Sequence, residues 1–564
     1  DPTNQCDNGQ NGSQNYTGNV YLDCYKLNGT KLWRIDLGVN IRAGAHYTQF
    51  MVYDLDGDGK AEVACKTAPG TIDGKGNNVI MGSDDPKADY RGTHGGKQGV
   101  IKTGPEYLTV FEGATGKELS TVAYEPSRNI LSDSAWGDSF GNRCERYLAC
   151  VAYLDGKKPS LVMCRGYYTA AYLCAWDFDG KELKKRWLHA STTKGEGAYG
   201  EGAHSLTVGD VDGDGCDEIV YGACCIDHDG SVLYRTGLGH GDALHLGDFI
   251  PDREGLEVFM VHEEKSAAYG FEMRDAQTGE ILSGRKMGSD IGRGLCADID
   301  SLSRGAEYWS LAKFNMTSDG KYNSITFDCN GDSISTKRPS VNFRTYWTGN
   351  LSEELQEKGV ISQWVNKTSS CTTVTDFVST YGCGVNLIKD TPSLQADILG
   401  DWREECIYYD EKTKSNLMIF STPFTSPYRV PCLMHDHIYR MSICWQNVAY
   451  NQPPHLGYYL RDYAKYQQSN PTGISRPVLT DEQSNVEIPF TLISDGIVIR
   501  YTDMDNASSS IRVYSLDGLC VYHVTNRLQG SGEIKLEGLE GLKKGVYLLS
   551  VVVDGVKTVR KIIQ

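Results

Sequence analysis

Two nine-residue stretches carry the densest chemistry in this chain: Asp54-Leu-Asp56-Gly-Asp58-Gly-Lys60-Ala-Glu62 and Asp210-Val-Asp212-Gly-Asp214-Gly-Cys216-Asp-Glu218. Carboxylates at alternate positions, two glycines that permit a tight turn and a closing glutamate are what a hard, oxygen-seeking cation requires, and calcium is the ion that this donor set suits. Without a cation, three aligned Asp side chains repel one another, so a plain acidic turn explains the pattern less well. The loop is not an EF-hand. Its glutamate comes at the ninth position, and Ile219, Val220 and Tyr221 continue as an apolar strand rather than a helix. Lys60 and Cys216, at the seventh position, complete the two ion-binding sets. Looser copies follow at Asp248 to Glu257, at Asp298, Asp300 and Glu307, and at Asp397, Asp401 and Glu404, extending the expectation to several calcium ions.

A second group of residues lies beside glycines rather than within acidic loops. Gly239-His240-Gly-Asp242-Ala-Leu-His245 packs two histidines and an aspartate into a short segment, and Val261-His262-Glu263 follows a clear strand. Ala203-His204, Gly292-Arg293-Gly294, His435-Asp436-His437 and Tyr450 to His455 are similar in texture. These residues could converge on one centre. Taken singly, each histidine reads as a hydrogen-bonded structural residue near a turn, and position alone does not decide.

The elements that must hold these residues are β-hairpins. Short strands with a glycine turn recur around Gly29, Gly116, Gly180, Gly230 and Gly279, at intervals that settle near the roughly fifty residues of a four-stranded propeller blade. Extended over the rest of the region, the pattern predicts an all-β protein built as an eight-bladed β-propeller.

Composition agrees with a large folded protein: 564 residues, 62 Gly, 34 Tyr and 40% hydrophobic residues. No apolar run is long enough for a membrane span, and the formal net charge of −17 argues against nucleic acid as a partner. A monomer is expected. The 18 cysteines are scattered through apparent strands without a C-x-x-C pair, so most are expected to be small buried hydrophobes. No signal peptide is visible, and the start is expected to be a processed terminus or to lie inside a longer precursor.

The texture changes after Tyr459-Leu-Arg-Asp462. We expect a propeller domain over residues 1–466, a linker over 467–490 and a small immunoglobulin-like β-sandwich over 491–564, with turns at Asp517-Gly518 and Asp554-Gly555. Ile511-Arg-Val-Tyr-Ser-Leu-Asp-Gly518, Lys543-Lys-Gly-Val-Tyr547 and Lys561-Ile-Ile-Gln564 resemble C-terminal sorting domains of type IX secretion systems. That resemblance implies export to the cell surface or medium.

The larger region also carries a family resemblance. Gln49-Phe-Met-Val-Tyr-Asp-Leu-Asp-Gly-Asp-Gly-Lys-Ala-Glu62, Gly239-His-Gly-Asp-Ala-Leu244, Leu394-Gln-Ala-Asp-Ile-Leu-Gly-Asp-Trp-Arg-Glu-Glu405 and Gln446-Asn-Val-Ala-Tyr-Asn-Gln-Pro-Pro-His455 resemble the rhamnogalacturonan lyases of polysaccharide lyase family 11. The resemblance runs from about residue 16 to 460. It implies a calcium-rich, eight-bladed propeller that cleaves the rhamnogalacturonan I backbone of pectin by β-elimination.

By the same resemblance, His204, His240, Asp242 and Glu263 hold a calcium ion at the active cleft. Lys389, Arg293 and Tyr450 are the catalytic candidates, and Asn386 contacts substrate with Arg293. Lys389 is the first choice as base, provided its amine is brought out of its ordinary protonated state. Arg293, which keeps its charge, suits an anion better than a proton. Tyr450 would donate to the leaving oxygen or position a sugar. The family's Asn-Gly-Thr-Lys loop has Leu387 and Ile388 at its two central positions here, which changes the turn and removes a hydroxyl. The alternative is a non-catalytic, calcium-dependent glycan-binding propeller. A lyase for another uronate polymer is also consistent with the same residues.

Overall fold

The computed structural model describes residues 16, 18–42, 44, 46–314, 323–386, 389–469, 490–493, 496–515, 520–536, 546–553 and 556–563. Leu387 and Ile388, residues 470–489 of the expected linker, Lys543 to Gly545 and the turns at Asp517-Gly518 and Asp554-Gly555 lie outside them. The chain divides into two compact units, Asp1–Thr472 and Gly473–Gln564.

Seven four-stranded antiparallel sheets follow one another along the first unit, among the described residues. Their first strands are Phe50–Tyr53, Ala149–Ala152, Gly202–Gly209, Leu244–Gly247, Gly294–Ala297, Phe343–Thr345 and Leu394–Ala396. Their second strands are Glu62–Thr67, Ser160–Arg165, Glu218–Gly222, Glu257–Val261, Glu307–Ser310, Glu354–Glu357 and Glu405–Asp410. The hairpin Tyr21–Tyr25 with Lys31–Asp36 stands beside the first sheet, where Trp33 donates its indole N–H to the Gly113 carbonyl at 2.8 Å. The five glycines of the predicted hairpin turns, Gly29, Gly116, Gly180, Gly230 and Gly279, all have positive φ, which a residue with a Cβ adopts only at a cost.

In each four-stranded sheet of the first unit the last strand is the least buried. In the third sheet every residue of Gly202–Gly209, Glu218–Gly222 and Cys224–Ile226 is buried, whereas Val232–Arg235 has one buried residue. This explains the sequence texture: inner strands read as continuous apolar runs because both faces are covered, while outer strands alternate. Each fully buried Val, Ile or Leu in the inner strands contributes about 1.5–3 kcal/mol from lost water contact. The described cysteines are free thiols, and most are buried.

First strands stand side by side. Phe50–Tyr53 packs on Ala149–Ala152, which packs on Gly202–Gly209, which packs on Leu244–Gly247. Ala203 and Gly241 form a parallel bridge between two of them. The helix His437–Trp445, capped by Asp436 accepting from the Tyr439 N–H, lies against the first strands of the first three sheets. The segment after it continues across the others. The Asn447 side chain donates to the Phe50 carbonyl at 2.8 Å, the Leu456 carbonyl accepts from the Asp248 N–H at 3.2 Å, and the Arg461 guanidinium reaches Asp298.

A buried glutamate at the start of the second strand latches the preceding loop in six sheets. Glu62 accepts from the Leu55 N–H, Glu218 from Val211, Glu257 from Phe249 and Ile250, Glu307 from Ile299 and Asp300, and Glu354 from Trp347 and Thr348. In the seventh sheet the latch is Glu405, accepting from Ile398 and Leu399, and not Glu404 as expected. Glu404 faces the other way and pairs with Arg344 at 3.0 Å. Adjacent strand residues point to opposite faces, so only the strand's orientation separates the two.

The looser acidic copies differ from the expectation in a second respect. Arg461 donates to Asp298, to the Asp300 carbonyl at 3.2 Å and to the Ser303 carbonyl at 3.2 Å, and Asn366 caps the Asp300 side chain. Asp401 pairs with Arg403, while Asp397 accepts from the Trp402 and Leu433 N–H groups. A guanidinium or backbone donors occupy oxygens of Asp298, Asp300, Asp397 and Asp401, and a calcium ion would compete with them there, whereas Glu307 Oε1 and Asp397 Oδ1 are buried without a partner. Calcium ligation by Asp298, Asp300, Glu307, Asp397, Asp401 and Glu404 therefore stays an expectation, with a competing cation beside Asp298, Asp401 and Glu404.

In the second unit, the long strands Gly496–Ser515 and Cys520–Leu536 pair along their length, with bulges between Tyr501 and Ala507. Phe490–Ile493 pairs with the early part of the first, and Val546–Val553 and Val556–Ile563 extend its later part. Ile511, Val513, Leu528, Leu536 and Leu549 are among its buried core.

Candidate active site

Because first strands run side by side, the residues that precede them gather at one end of the sheets. The turns from first to second strand gather at the other. His46 precedes Phe50, Arg146 precedes Ala149, His204 lies near the start of Gly202–Gly209, and His240 and Asp242 precede Leu244. Arg293 precedes Gly294, Asn342 precedes Phe343, and Lys389 precedes Leu394. Glu263 follows the second strand Glu257–Val261, at the same end, and Tyr450 enters from the segment after the helix. The acidic loops at Asp54 and Asp210 lie on first-to-second turns, at the opposite end.

Ligand atoms of His204, His240, Asp242 and Glu263 lie within 4.8 Å of one another. His204 Nδ1 is 3.1 Å from Tyr167 Oη, and its Nε2 is 2.9 Å from Tyr168 Oη and 3.4 Å from Asp242 Oδ1. His240 Nδ1 donates to the Gly202 carbonyl, which leaves Nε2 as the lone-pair nitrogen; it is buried, has no hydrogen-bond partner and lies 3.7 Å from Glu263 Oε1. Burial holds His204 well below the ordinary histidine range and His240 at about 4, so both rings are neutral near pH 7. Burial and then the neighbouring Asp242 push Glu263 up to about 8. Two neutral imidazoles and two crowded carboxylates, with an orphaned nitrogen facing them, fit a divalent cation.

The catalytic candidates surround this cluster. Lys389 Nζ is 3.0 Å from Asp242 Oδ2 and 4.3 Å from the centroid of the Tyr450 ring. Tyr450 stacks on His204 with centroids 4.2 Å apart, donates its N–H to the His204 carbonyl at 3.1 Å, and follows Ala449 at φ 46°. Burial raises its phenol well above the ordinary value, so its hydroxyl keeps its proton. Arg293 donates Nε to Asn342 Oδ1 at 2.9 Å and Nη1 to the Asp242 carbonyl at 3.2 Å, while Nη2 is buried without a partner. Burial lowers this guanidinium to about 10, which leaves it charged. The Asn386 backbone shapes the Lys389 turn, donating to the Thr391 carbonyl at 3.0 Å and accepting from the Asp390 N–H at 2.7 Å.

Four neighbours were not singled out from the sequence: His46, Tyr167, Tyr168 and Arg146. The His46 ring lies edge-on to Tyr450 at 5.0 Å and to His204 at 5.2 Å. Tyr167 and Tyr168 hold the His204 ring from both nitrogens, and Arg146 lies buried among these tyrosines. No local motif marks them. Their common signal is position, just before a first strand or just after a second.

Four other histidines are tied into the scaffold. His245 bridges His455 at 2.9 Å and the Gly294 carbonyl at 3.1 Å, and His262 Nδ1 faces the Gly239 carbonyl at 3.0 Å. His437 pairs with Asp217.

The two acidic loops share one hydrogen-bond pattern. Asp54 accepts from Gly57 and Gly59, Asp56 from Asp58, and Asp58 from Lys60, whose ammonium also turns to Asp58. Asp210, Asp212 and Asp214 repeat this with Gly213, Gly215, Asp214 and Cys216. Gly57, Gly59, Gly213 and Gly215 have φ between 80° and 91°. Asp54, Asp56 and Asp58 converge, as do Asp210, Asp212 and Glu218, and the buried Oε1 of Glu218 has no partner. Burial, then the loop aspartates, push Glu62 up to about 7 and Glu218 up to about 8. Oxygen donors crowded to this degree fit calcium.

Comparison with known proteins places this geometry in context. A family model described as rhamnogalacturonan lyase family 11, C-terminal domain, matches residues 1–470, and one described as a secretion system C-terminal sorting domain matches residues 493–564. The rhamnogalacturonan exolyase YesX of Bacillus subtilis is 52% identical over 470 residues, covering 82% of this chain and 74% of the relative. The rhamnogalacturonan endolyase YesW of the same organism is 50% identical over 464 residues, covering 82% and 70%. The crystal structure of YesW matches with a TM-score of 0.74 at 51% identity, over 82% of this chain and 74% of that one. A rhamnogalacturonan lyase of Bacillus licheniformis matches with the same score, identity and coverage.

Proposed function

The chain belongs to rhamnogalacturonan lyase family 11, and from that premise we propose that it cleaves the rhamnose-galacturonate bond of rhamnogalacturonan I by β-elimination, leaving 4,5-unsaturated galacturonate ends. It is a polysaccharide lyase with a sorting tail, secreted or at the cell surface. The observation that carries the mechanism is the arrangement of Lys389 and Arg293 about the cluster of His204, His240, Asp242 and Glu263.

Elimination removes the C5 proton, forms the C4–C5 double bond and breaks the bond from C4 to its oxygen. It therefore needs a group that neutralises the C6 carboxylate, a base and help for the leaving oxygen. Calcium held by the four cluster residues would supply Lewis-acid polarisation of that carboxylate. Arg293 offers the carboxylate its unpartnered Nη2 as a charged donor. Lys389 is the base in its neutral amine form, so its ammonium must release a proton to solvent and give up its pairing with Asp242 before it takes the C5 proton. Tyr450, holding its proton, donates to the leaving oxygen or carries a sugar on its ring.

Kinetics of single variants test these roles. Lys389→Ala should lower kcat by about 10²–10⁴ with little change in KM, because proton abstraction belongs to the transition state. Arg293→Ala should impair both constants, since a carboxylate contact exists in the ground state too. Near-normal turnover of Lys389→Ala, with fold and calcium content intact, would remove Lys389 as the base.

The fold reading is extended in the same way. Seven four-stranded sheets, their adjacent first strands, and the helix lying across three of them support an eight-bladed propeller in which the hairpin Tyr21–Asp36 contributes to the eighth blade. The convergent carboxylates of the Asp54 and Asp210 loops support a structural calcium in each. The paired long strands and shared core of the second unit support a small immunoglobulin-like sandwich.

A further inference from the structure

The two acidic loops share a backbone but differ in what stands over them. In the first sheet the turn between third and fourth strands is Gly113-Ala-Thr-Gly116, and the seventh loop position is Lys60. The corresponding turn of the third sheet is Asp227-His228-Asp229-Gly230, and the seventh position is Cys216. The second loop therefore adds an imidazole and a thiol to a carboxylate set.

Ligand atoms of Asp214, Cys216 and His228 lie within 4.8 Å of one another, as do those of Glu218, Asp227 and His228. His228 Nδ1 lies 3.3 Å from Asp214 Oδ2, 4.0 Å from Glu218 Oε1 and 2.8 Å from Asp227 Oδ1, yet it is shielded from solvent with no hydrogen-bond partner. Glu218, a member of the loop's calcium set, also faces this corner. Its side chain is fully buried, one carboxylate oxygen is held by the Val211 N–H, and the other, aimed at His228, has no partner. A buried carboxylate oxygen left unpaired beside an unpaired imidazole nitrogen is costly unless a cation lies between them.

We propose that this corner of the third sheet is a binding site for a borderline-soft divalent metal of the zinc type, held by Cys216 Sγ, His228 Nδ1 and the Asp214 carboxylate, with Glu218 Oε1 completing the set. The calcium set of the same loop is Asp210, Asp212 and Glu218, so Glu218 stands between the two sites. One thiolate, one imidazole and carboxylate oxygens are a zinc donor set, whereas calcium takes oxygen alone. Binding converts the Cys216 thiol to a thiolate and releases one proton to solvent.

The test uses the full chain in excess calcium with zinc as the probe. The protein should retain one zinc equivalent after gel filtration, and Cys216→Ser and His228→Ala should each weaken its affinity about tenfold or more. Cobalt in place of zinc should give the intense absorption of a tetrahedral thiolate complex, absent in Cys216→Ser. Alkylation mapping needs no variant: zinc should protect Cys216 and leave the exposed Cys371 reactive. Failure to retain zinc in excess calcium, wild-type affinity in both variants, or equal protection of Cys216 with and without zinc would each overturn the proposal.

Discussion

At the scale of single residues, burial keeps several histidines neutral over a wider pH range than a free imidazole. His46, His204, His245 and His455 are buried and held below the ordinary histidine value by desolvation, His245 at about 3. In the unfolded chain each titrates near 6.5. Between that value and the depressed folded one, the unfolded state binds more protons, so stability is complete above about pH 6.5 and is lost as pH falls. Each histidine that stays neutral contributes a slope of about 1.4 kcal/mol per pH unit in that window. Urea melts in excess calcium, which keeps Glu62, Glu218 and Glu263 from taking up protons as pH falls, should show a midpoint that declines below about pH 6.5 between pH 7.5 and 5. A midpoint flat to pH 5 would mean that these rings are protonated in the native state. The glycine-flanked motifs drew attention to His204, His240 and Asp242, but their assembly into one cluster was implied only by the family resemblance. Nothing local marked His46, Tyr167, Tyr168 or Arg146, because their proximity arises only when the first strands stand side by side.

At the scale of elements, the first-to-second turn is one design with two sources of positive charge. In the Asp54 and Asp210 loops the carboxylates converge with one exposed ammonium, Lys60, beside Asp58 and the His228 ring beside Asp214, whereas at Asp298 the Arg461 guanidinium is bonded to the loop. Chelation should therefore lower the melting temperature through the first two loops, since a cation bound only by the folded state stabilises it by mass action. Arg461→Ala should destabilise by about 3–5 kcal/mol by leaving Asp298 buried and unpaired. Added calcium should not restore that loss if the loop has no ion site of its own, and full rescue by calcium would make Asp298 a calcium ligand. The repeated acidic loops were legible because their spacing is local. The identity of the latch was not: Glu404 and Glu405 are neighbours in sequence, and only strand orientation decides which one faces the turn.

At the scale of the whole molecule, the two units have separate cores. The apolar cluster of the second unit draws only on residues from Ile499 to Val553, and the clusters of the first draw on residues up to Ala464. Removing residues 473–564 should leave kcat and KM unchanged while abolishing export in a host with the matching secretion system. A truncated enzyme that stays folded but loses turnover would assign the tail a part in substrate binding. The boundary was legible as a change of strand texture, and the sorting resemblance as a short motif. The recurrence of hairpins was legible from five glycine turns, all of which adopt positive φ, whereas the number of sheets was not: eight blades were expected and seven four-stranded sheets are seen among the described residues of the first unit.

The central claim is that the cleft performs elimination, and its product carries a chromophore that hydrolysis cannot generate. Incubation of the calcium-loaded protein with rhamnogalacturonan I, with polygalacturonate as the parallel substrate, should give rising ultraviolet absorbance from the conjugated C4–C5 double bond on the first polymer and little on the second. Chain shortening of rhamnogalacturonan I without that absorbance, or no cleavage by a folded, calcium-loaded protein, would contradict it.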